Sequence, residues 1–207
     1  MIMRILTVLV VAVLVLPLAE ATPQAEAKKK FRNKTSTQTF SNTAAIAVPG
    51  TGTEGNANPF PSTIVVSGFK KGQILDVNVT VNNISHTEPD EIDIVLVAPN
   101  GQPALLKNNA GGSADVTDVT VTFDDEAVAL ISNDGPLIAG TFRPSIFPFP
   151  SETLAPYAGL AAADGSNPNG TWQLFVFDDG NNDTGTIAGG WTLTIQAKEK
   201  VKKKKKK

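Results

Sequence analysis

The sequence predicts an all-β protein, a single-domain β-sandwich with Greek-key or jelly-roll connections. Seven segments alternate apolar and polar residues with a period of two, which is typical of strands with one buried face. Gly, Pro, Asn and Asp separate these segments at regular intervals and favour turns. No amphipathic helix is found beyond the apolar N-terminus. Many short strands punctuated in this way are typical of sandwiches.

The N-terminal residues predict export. Arg4 precedes an apolar run over residues 5–18, and small residues follow at positions 19 and 21. This order predicts a secretory signal peptide over residues 1–21, cleaved after Ala21, and an extracellular mature protein. The alternative is a membrane anchor, but the run is shorter than the roughly 20 residues that a spanning helix needs. After cleavage, no membrane span is expected.

The charges divide the mature chain into three parts. Residues 22–35 are basic and lack an apolar period, so they are predicted to form a disordered linker. The body, residues 36–197, holds 17 acidic and 4 basic residues, a formal charge of −13. A poly-Lys tail follows at 198–207, with a charge of +7. Export and the acidic body argue against nucleic acid. The tails are predicted either to contact anionic cell-surface polymers through long-range attraction or to be solvated segments without a specific function.

The elements of the body follow from the alternating pattern. Strands are predicted over residues 62–69, 74–84, 91–99, 103–107, 116–125, 171–179 and 186–196. Residues 126–168 are predicted to form ordered surface loops, with at most one helical turn at 154–164, where Pro156 opposes a longer helix. The chain has no Cys, so disulfides and thiolate chemistry are excluded.

The segment 168–195 carries the strongest pattern, with a Trp near the start of each of two strands. The predicted buried faces are Trp172, Leu174 and Val176 on the first strand and Trp191, Leu193 and Ile195 on the second. Because each Trp alternates in step with aliphatic residues, both are predicted to fill the core.

The inventory of catalytic groups is poor. His86 is the only histidine, and no sequence context brings a nucleophile and an orienting carboxylate to it. We expect His86 to cap or buttress a turn rather than to act as a base in a hydrolase. Paired carboxylates such as Asp124 with Asp125 are adjacent on strands, so their side chains point to opposite faces. The chain is therefore predicted not to be an enzyme.

Calcium is the one cofactor that the composition suggests, in a structural role. The loop after the first Trp strand spaces oxygen ligands closely, at Asp178, Asp179, Asn181 and Asp183. Two weaker clusters are also candidates. One is Asp90 and Asp93, within a run that also holds Glu88 and Glu91, and the other is Asp124 and Asp125 beside Glu126. The loop does not follow the EF-hand pattern. The alternative is that these residues only hydrogen-bond their own backbone in turns.

Three segments together resemble the P or Homo B domain, which follows the catalytic domain in subtilisin-like proprotein convertases. They are residues 86–106, which open on His and an acidic strand; 121–127, with Phe-Asp-Asp; and 170–195, with Gly-Thr-Trp-x-Leu and a second Trp. The resemblance implies a jelly-roll sandwich that packs on, stabilises and tunes a partner serine protease, often with calcium. Since the catalytic domain is not seen before the body, a stand-alone, non-catalytic module is expected.

A second function class stays open, an extracellular carbohydrate- or cell-surface-binding module. Such modules usually expose aromatic rings for sugar stacking. Here the Phe- and Pro-rich segment at 142–149 is the best candidate for an exposed apolar contact surface.

Overall fold

The computed structural model describes residues 31–148 and 159–203, which form an all-β sandwich as predicted. The strands are β1 (Phe31–Asn42), β2 (Ile46–Val48), β3 (Gly55–Asn56), β4 (Ser62–Val66), β5 (Gln73–His86), β6 (Ile92–Val97), β7 (Pro103–Asn108), β8 (Val116–Phe123), β9 (Gly140–Phe142), β10 (Ser145–Ile146), β11 (Gly170–Asp178), β12 (Gly185–Ile187) and β13 (Trp191–Lys202). Two single 3₁₀ turns, Pro89–Glu91 and Leu160–Ala163, complete the described part.

The strands form two sheets. The seven-stranded sheet has the order β1-β13-β5-β12-β2. In addition, β8 pairs with β5, and β9 pairs with β8. The six-stranded sheet has the order β10-β7-β6-β11-β3, with β4 also paired to β11. Neighbours are antiparallel except β8 with β9 and β7 with β10. Most neighbours within a sheet are not consecutive in the chain, so the chain crosses repeatedly between the sheets.

The core lies between the sheets and contains the predicted faces. The predicted buried residues of β11 and β13, led by Trp172 and Trp191, are all at most 1% exposed. Each indole also finds an acceptor, at Pro168 O and Ser62 Oγ respectively, both at 3.0 Å. Both Trp residues therefore fill the core, as predicted, and neither leaves its polar N–H unpaired.

The predicted strand over residues 186–196 is wrong in one respect, because it is two strands. The break falls at Gly190, which has φ +62°. An added Cβ there would overlap the carbonyl oxygen of Asn42. The left-handed backbone and the close approach both require glycine, so β12 ends at Ile187 and β13 begins at Trp191.

Both flanks of the body are more ordered than predicted. Residues 31–35, expected in a linker, form the start of β1, and residues 198–202, expected in a tail, form the end of β13. The two stretches pair with each other, from Phe31 opposite Lys202 to Thr35 opposite Lys198. Each supplies backbone hydrogen bonds to a partner far away in sequence, so neither carries a local signal of its strand.

The segment 126–168 also holds more structure than expected. Its described residues include β9, β10 and the 3₁₀ turn Leu160–Ala163, which falls within the predicted helical turn at 154–164. The predicted signal peptide and residues 154–158 lie outside the described residues, as do 204–207. Among the described residues, no helix is long and apolar enough to span a membrane.

Candidate functional site

The candidate site lies at one end of the sandwich, where β5 and β11 both end. His86 closes β5 and Asp178 closes β11, and both side chains are buried. The His86 Nε2 and Asp178 Oδ2 atoms are 3.0 Å apart. The second carboxylate oxygen, Oδ1, accepts from the Gly180 N–H at 3.2 Å. This pair ties the two sheets together at the floor of the site.

The second ring nitrogen of His86 bonds the main chain of the next turn. Nδ1 lies 2.9 Å from Glu88 O and 3.2 Å from Glu88 N. Both ring nitrogens therefore have protein partners, Nε2 the Asp178 carboxylate and Nδ1 the Glu88 main chain. His86 therefore buttresses the Pro89–Glu91 turn, which agrees with the structural role expected of it.

Three carboxylates converge above this floor. Glu88 precedes the Pro89–Glu91 turn, Glu91 is its last residue, and Asp183 comes from the loop between β11 and β12. One oxygen from each lies within 4.8 Å of the other two. Glu91 lies so close to Gly180 that a Cβ at that position would overlap its carboxylate. We call Glu88, Glu91 and Asp183 the carboxylate triplet.

The carboxylate triplet is electrostatically strained. Burial, followed by the charges of Glu88, Asp178 and Asp183, raises the pKa of Glu91 to about 7. The pKa of Glu88 is also raised, first by burial and then by Asp90 and Asp183. The Glu91 Oε2 atom is shielded from solvent and has no hydrogen-bond partner within residues 31–148 and 159–203. A bound cation would relieve each of these costs.

The structure rearranges the predicted calcium set. Asp183 joins the carboxylate triplet, but Asp178 faces His86 and Gly180 with its two oxygens. Asp179 and Asn181 are exposed on the same loop and lie outside the triplet. Glu88 and Glu91 were visible in sequence only as members of an acidic run. Their convergence with Asp183 depends on the crossing of β5 and β11 and has no local signal.

Three of the weaker candidates bond protein groups, whereas the fourth, Asp90, has a shielded Oδ1 atom without a hydrogen-bond partner among the described residues. Asp93 accepts from Asn108 Nδ2 at 3.1 and 3.2 Å with its two oxygens. Asp124 accepts from Glu126 N at 2.8 Å, and Asp125 accepts from the N–H groups of Leu160 and Ala161 at the start of the second 3₁₀ turn. The Asp124 contact matches the alternative that turn carboxylates bond their own backbone, whereas Asp93 and Asp125 bond groups far away in sequence.

A buried lysine supports the site and was missed in the sequence. Lys107, on β7, is 1% exposed and donates from Nζ to Pro89 O and Ile92 O, both at 2.6 Å. Burial lowers its pKa to about 8, although Asp93 and Asp90 oppose that shift. Lys107 thus fixes the turn that presents Glu91. Its position at the end of an apolar strand was the only hint of its burial.

The predicted contact surface at 142–149 is only partly at the surface. Phe142 is buried and Phe147 packs partly against the core, while Phe149 lies outside the described residues. Ile146, Phe147 and Pro148 form the apolar wall of a pocket of about 560 Å³. Asp90, Asn109, Gly112, Ser113, Asn133 and Asp134 form the rest of its lining.

Fold and site together define a β-sandwich module whose buried polar groups brace a turn and a loop at one end. The family model of the Proprotein convertase P-domain matches residues 74–195, more than half of the chain. The chain therefore belongs to the proprotein convertase P-domain family. P-domains are non-catalytic domains of subtilisin-like proteases.

Comparison with solved structures finds similarity to a serine protease of Aeromonas sobria, with 14% identity and a TM-score of 0.37. The match covers 80% of this chain and 27% of that protease chain, so this chain spans about a quarter of the protease's length. No curated protein matches the sequence.

Proposed function

We propose that this chain is a secreted, non-catalytic module that binds and stabilises an exported subtilisin-like serine protease. The observation that carries the proposal is the family match over residues 74–195, because P-domains belong to such proteases. The buried side chains of His86, Asp178 and Lys107 support a scaffold role, since they hydrogen-bond the main chain of a turn and a loop and present no reactive group to solvent.

The environment of His86 supports the non-catalytic part of the proposal. A general base must come within hydrogen-bond reach of a substrate proton. His86 is buried, and its two nitrogens contact Asp178 and the Glu88 main chain. We expect no peptidase activity from the isolated chain. Any trace activity should be the same in the wild type and in the His86→Ala variant.

Affinity capture from culture medium tests the partner. The full chain, immobilised through an added tag, serves as bait, and an unrelated β-sandwich of similar charge serves as control. We expect an exported subtilisin-like protease to be enriched on this chain alone. Equal recovery of the protease on both baits would contradict the proposal.

A structural calcium ion at the carboxylate triplet is the second part of the proposal. Calcium takes six to eight oxygen ligands, and carboxylates are the strongest of them. Glu88, Glu91 and Asp183 each bring one carboxylate oxygen to within 4.8 Å of the other two. The shielded, unpartnered Oε2 of Glu91 is the feature that distinguishes this group from an ordinary acidic surface.

Melting curves with calcium and with chelator test this site. We expect calcium to raise the melting temperature of the wild type, because a ligand that binds only the folded state stabilises it. Asp183→Asn should remove most of that increase. Asp179→Asn is the matched control, since it makes the same change on the same loop at an exposed position outside the triplet. Equal responses from both variants would argue against the triplet.

A second candidate function is binding to anionic cell-surface polymers through the basic ends of the chain. The pairing of β1 with β13 favours it, because it brings Arg32 and Lys34 from one end and three lysines from the other onto neighbouring strands. Retention on immobilised acidic polymer, lost at high salt, would support this function. Passage through the column at low salt would contradict it.

A further inference from the structure

The ends of β1 and β13 form a basic two-stranded ribbon at the edge of the seven-stranded sheet. The pairing of β13 with β5 stops at Lys198, whereas the pairing with β1 continues to Lys202. The Lys200 N–H also donates to Lys70 O at 3.3 Å, which holds the ribbon to the body. The basic residues at this end therefore have defined positions on a strand.

Alternation along β13 sorts the ribbon into two faces. Lys198, Lys200 and Lys202 are exposed on one face, while Glu199 and Val201 point to the other. Glu199 is only 7% exposed and accepts hydrogen bonds from Ser36 Oγ and, at 2.7 Å, from Lys70 N. The single acidic residue in this stretch is therefore turned inward, so it leaves the lysines on the outer face without a carboxylate partner among the described residues of the ribbon.

The β1 side of this face adds groups of another kind. Residues directly opposite in an antiparallel pair share a face, so Phe31, Asn33 and Thr35 lie beside Lys202, Lys200 and Lys198. Phe31 is 44% exposed, and Lys71 Nζ lies 5.9 Å from its ring centroid. We define the lysine face by these groups: Phe31, Asn33, Thr35, Lys71, Lys198, Lys200 and Lys202.

The geometry of the lysine face suits an extended, charged ligand. Alternate residues on a strand are about 6.6 to 6.8 Å apart, so the three lysines of β13 form a straight row of that spacing. Their mutual repulsion is relieved when a polyanion lies along the row. An exposed ring, an amide and a hydroxyl beside the row add apolar and hydrogen-bonding contacts that a bare charge would not use.

We propose that the lysine face binds an acidic polysaccharide, with the lysines contacting its carboxylates and Phe31, Asn33 and Thr35 contacting its sugar rings and hydroxyls. The inference rests on the proposed polymer binding and assigns it to the ordered ribbon rather than to the lysines beyond Lys203. The ring and polar groups of β1 favour a saccharide over a polymer of phosphate alone.

The test compares two triple variants of the full chain with the same change in charge. One replaces Lys198, Lys200 and Lys202 by Gln, and the other replaces Lys205, Lys206 and Lys207 by Gln. Binding to polygalacturonate is measured by titration at low salt. We expect about tenfold weaker binding for the ribbon variant and a change of about twofold or less for the tail variant. Equal losses would overturn the assignment to the ribbon.

A third variant, Phe31→Ala, tests the saccharide class. It should weaken binding to polygalacturonate but leave binding to inorganic polyphosphate unchanged. Equal effects of Phe31→Ala on both polymers would overturn the choice of a saccharide. Unchanged melting temperatures serve as the folding control, and we expect them for the ribbon variant and Phe31→Ala because the side chains of Phe31, Lys198, Lys200 and Lys202 are exposed.

The outcomes separate this inference from the function on which it rests. If the wild type binds neither polymer, the proposed polymer binding itself is wrong, and the inference fails with it. If the wild type binds and the two triple variants lose affinity equally, only the assignment to the lysine face is wrong.

Discussion

At the scale of single residues, neighbours decide what each acidic side chain does. Asp178 and Asp179 are adjacent in sequence, yet Asp178 is buried against His86 and Asp179 is exposed. Sequence alone placed both in one calcium set. The distinction depends on the strand crossing that brings His86 to Asp178, which no local pattern encodes.

This pair gives a direct stability prediction. Asp178→Ala removes the acceptor for His86 Nε2 and for the Gly180 N–H, leaving buried polar groups unpaired. We expect a loss of about 1 to 3 kcal/mol in the free energy of unfolding, measured in urea. Asn181→Ala, at an exposed position on the same loop, should change it by less than about 0.5 kcal/mol. Similar losses in the two variants would contradict the buried role of Asp178.

The raised pKa of Glu91 predicts how stability depends on pH. Its pKa is about 7 in the folded state against a reference value of 4.5. The folded state therefore binds the Glu91 proton more tightly than the unfolded state, and this contribution is present below pH 4.5 and lost as pH rises through 7. The raised pKa of Glu88 acts in the same direction.

Melting curves in chelator from pH 4.5 to 8 measure this effect. We expect Glu91→Gln to flatten the fall in melting temperature across that window, because the substituted amide does not ionise. Calcium should flatten it in the wild type as well, since a bound cation favours the ionised carboxylate. Parallel curves for wild type and Glu91→Gln in chelator would contradict the strained carboxylate triplet.

At the scale of elements, alternation predicted the strands that have one face in the core. β5, β6, β11 and β13 were all recognised from their alternating apolar residues, and those residues are buried. β1 was missed because its sequence is mostly polar, and nearly all of its side chains are exposed or half-buried. Its order comes from backbone pairing with β13, which the sequence does not display.

The turn between β12 and β13 gives a prediction at this scale. Gly190→Ala meets both an unfavourable φ of +62° and an overlap with the Asn42 carbonyl. Gly101→Ala is the matched control, because its φ is +79° but open space surrounds its Cβ position. We expect about 1 kcal/mol for Gly101→Ala and clearly more for Gly190→Ala in urea unfolding. Equal losses would mean that the turn moves away from Asn42 at no cost.

At the scale of the whole molecule, charge and architecture are segregated. The acidic body carries the carboxylate triplet at one end of the sandwich, and the basic ribbon continues the edge of the seven-stranded sheet. The composition predicted this separation of charge, but it assigned the basic residues to a disordered linker and tail. Family and fold followed from motif order, while the triplet and the ribbon required the three-dimensional pairing of distant segments.

The measurement that most directly tests the central claim is the thermal inactivation of an exported subtilisin-like protease from the same source. Its half-life is followed with and without a saturating amount of this chain, in calcium, with an unrelated β-sandwich as control. We expect this chain to lengthen the half-life and the unrelated β-sandwich to leave it unchanged, because binding to the folded protease stabilises it. An unchanged half-life at saturation would contradict the claim that the domain is a stabilising module.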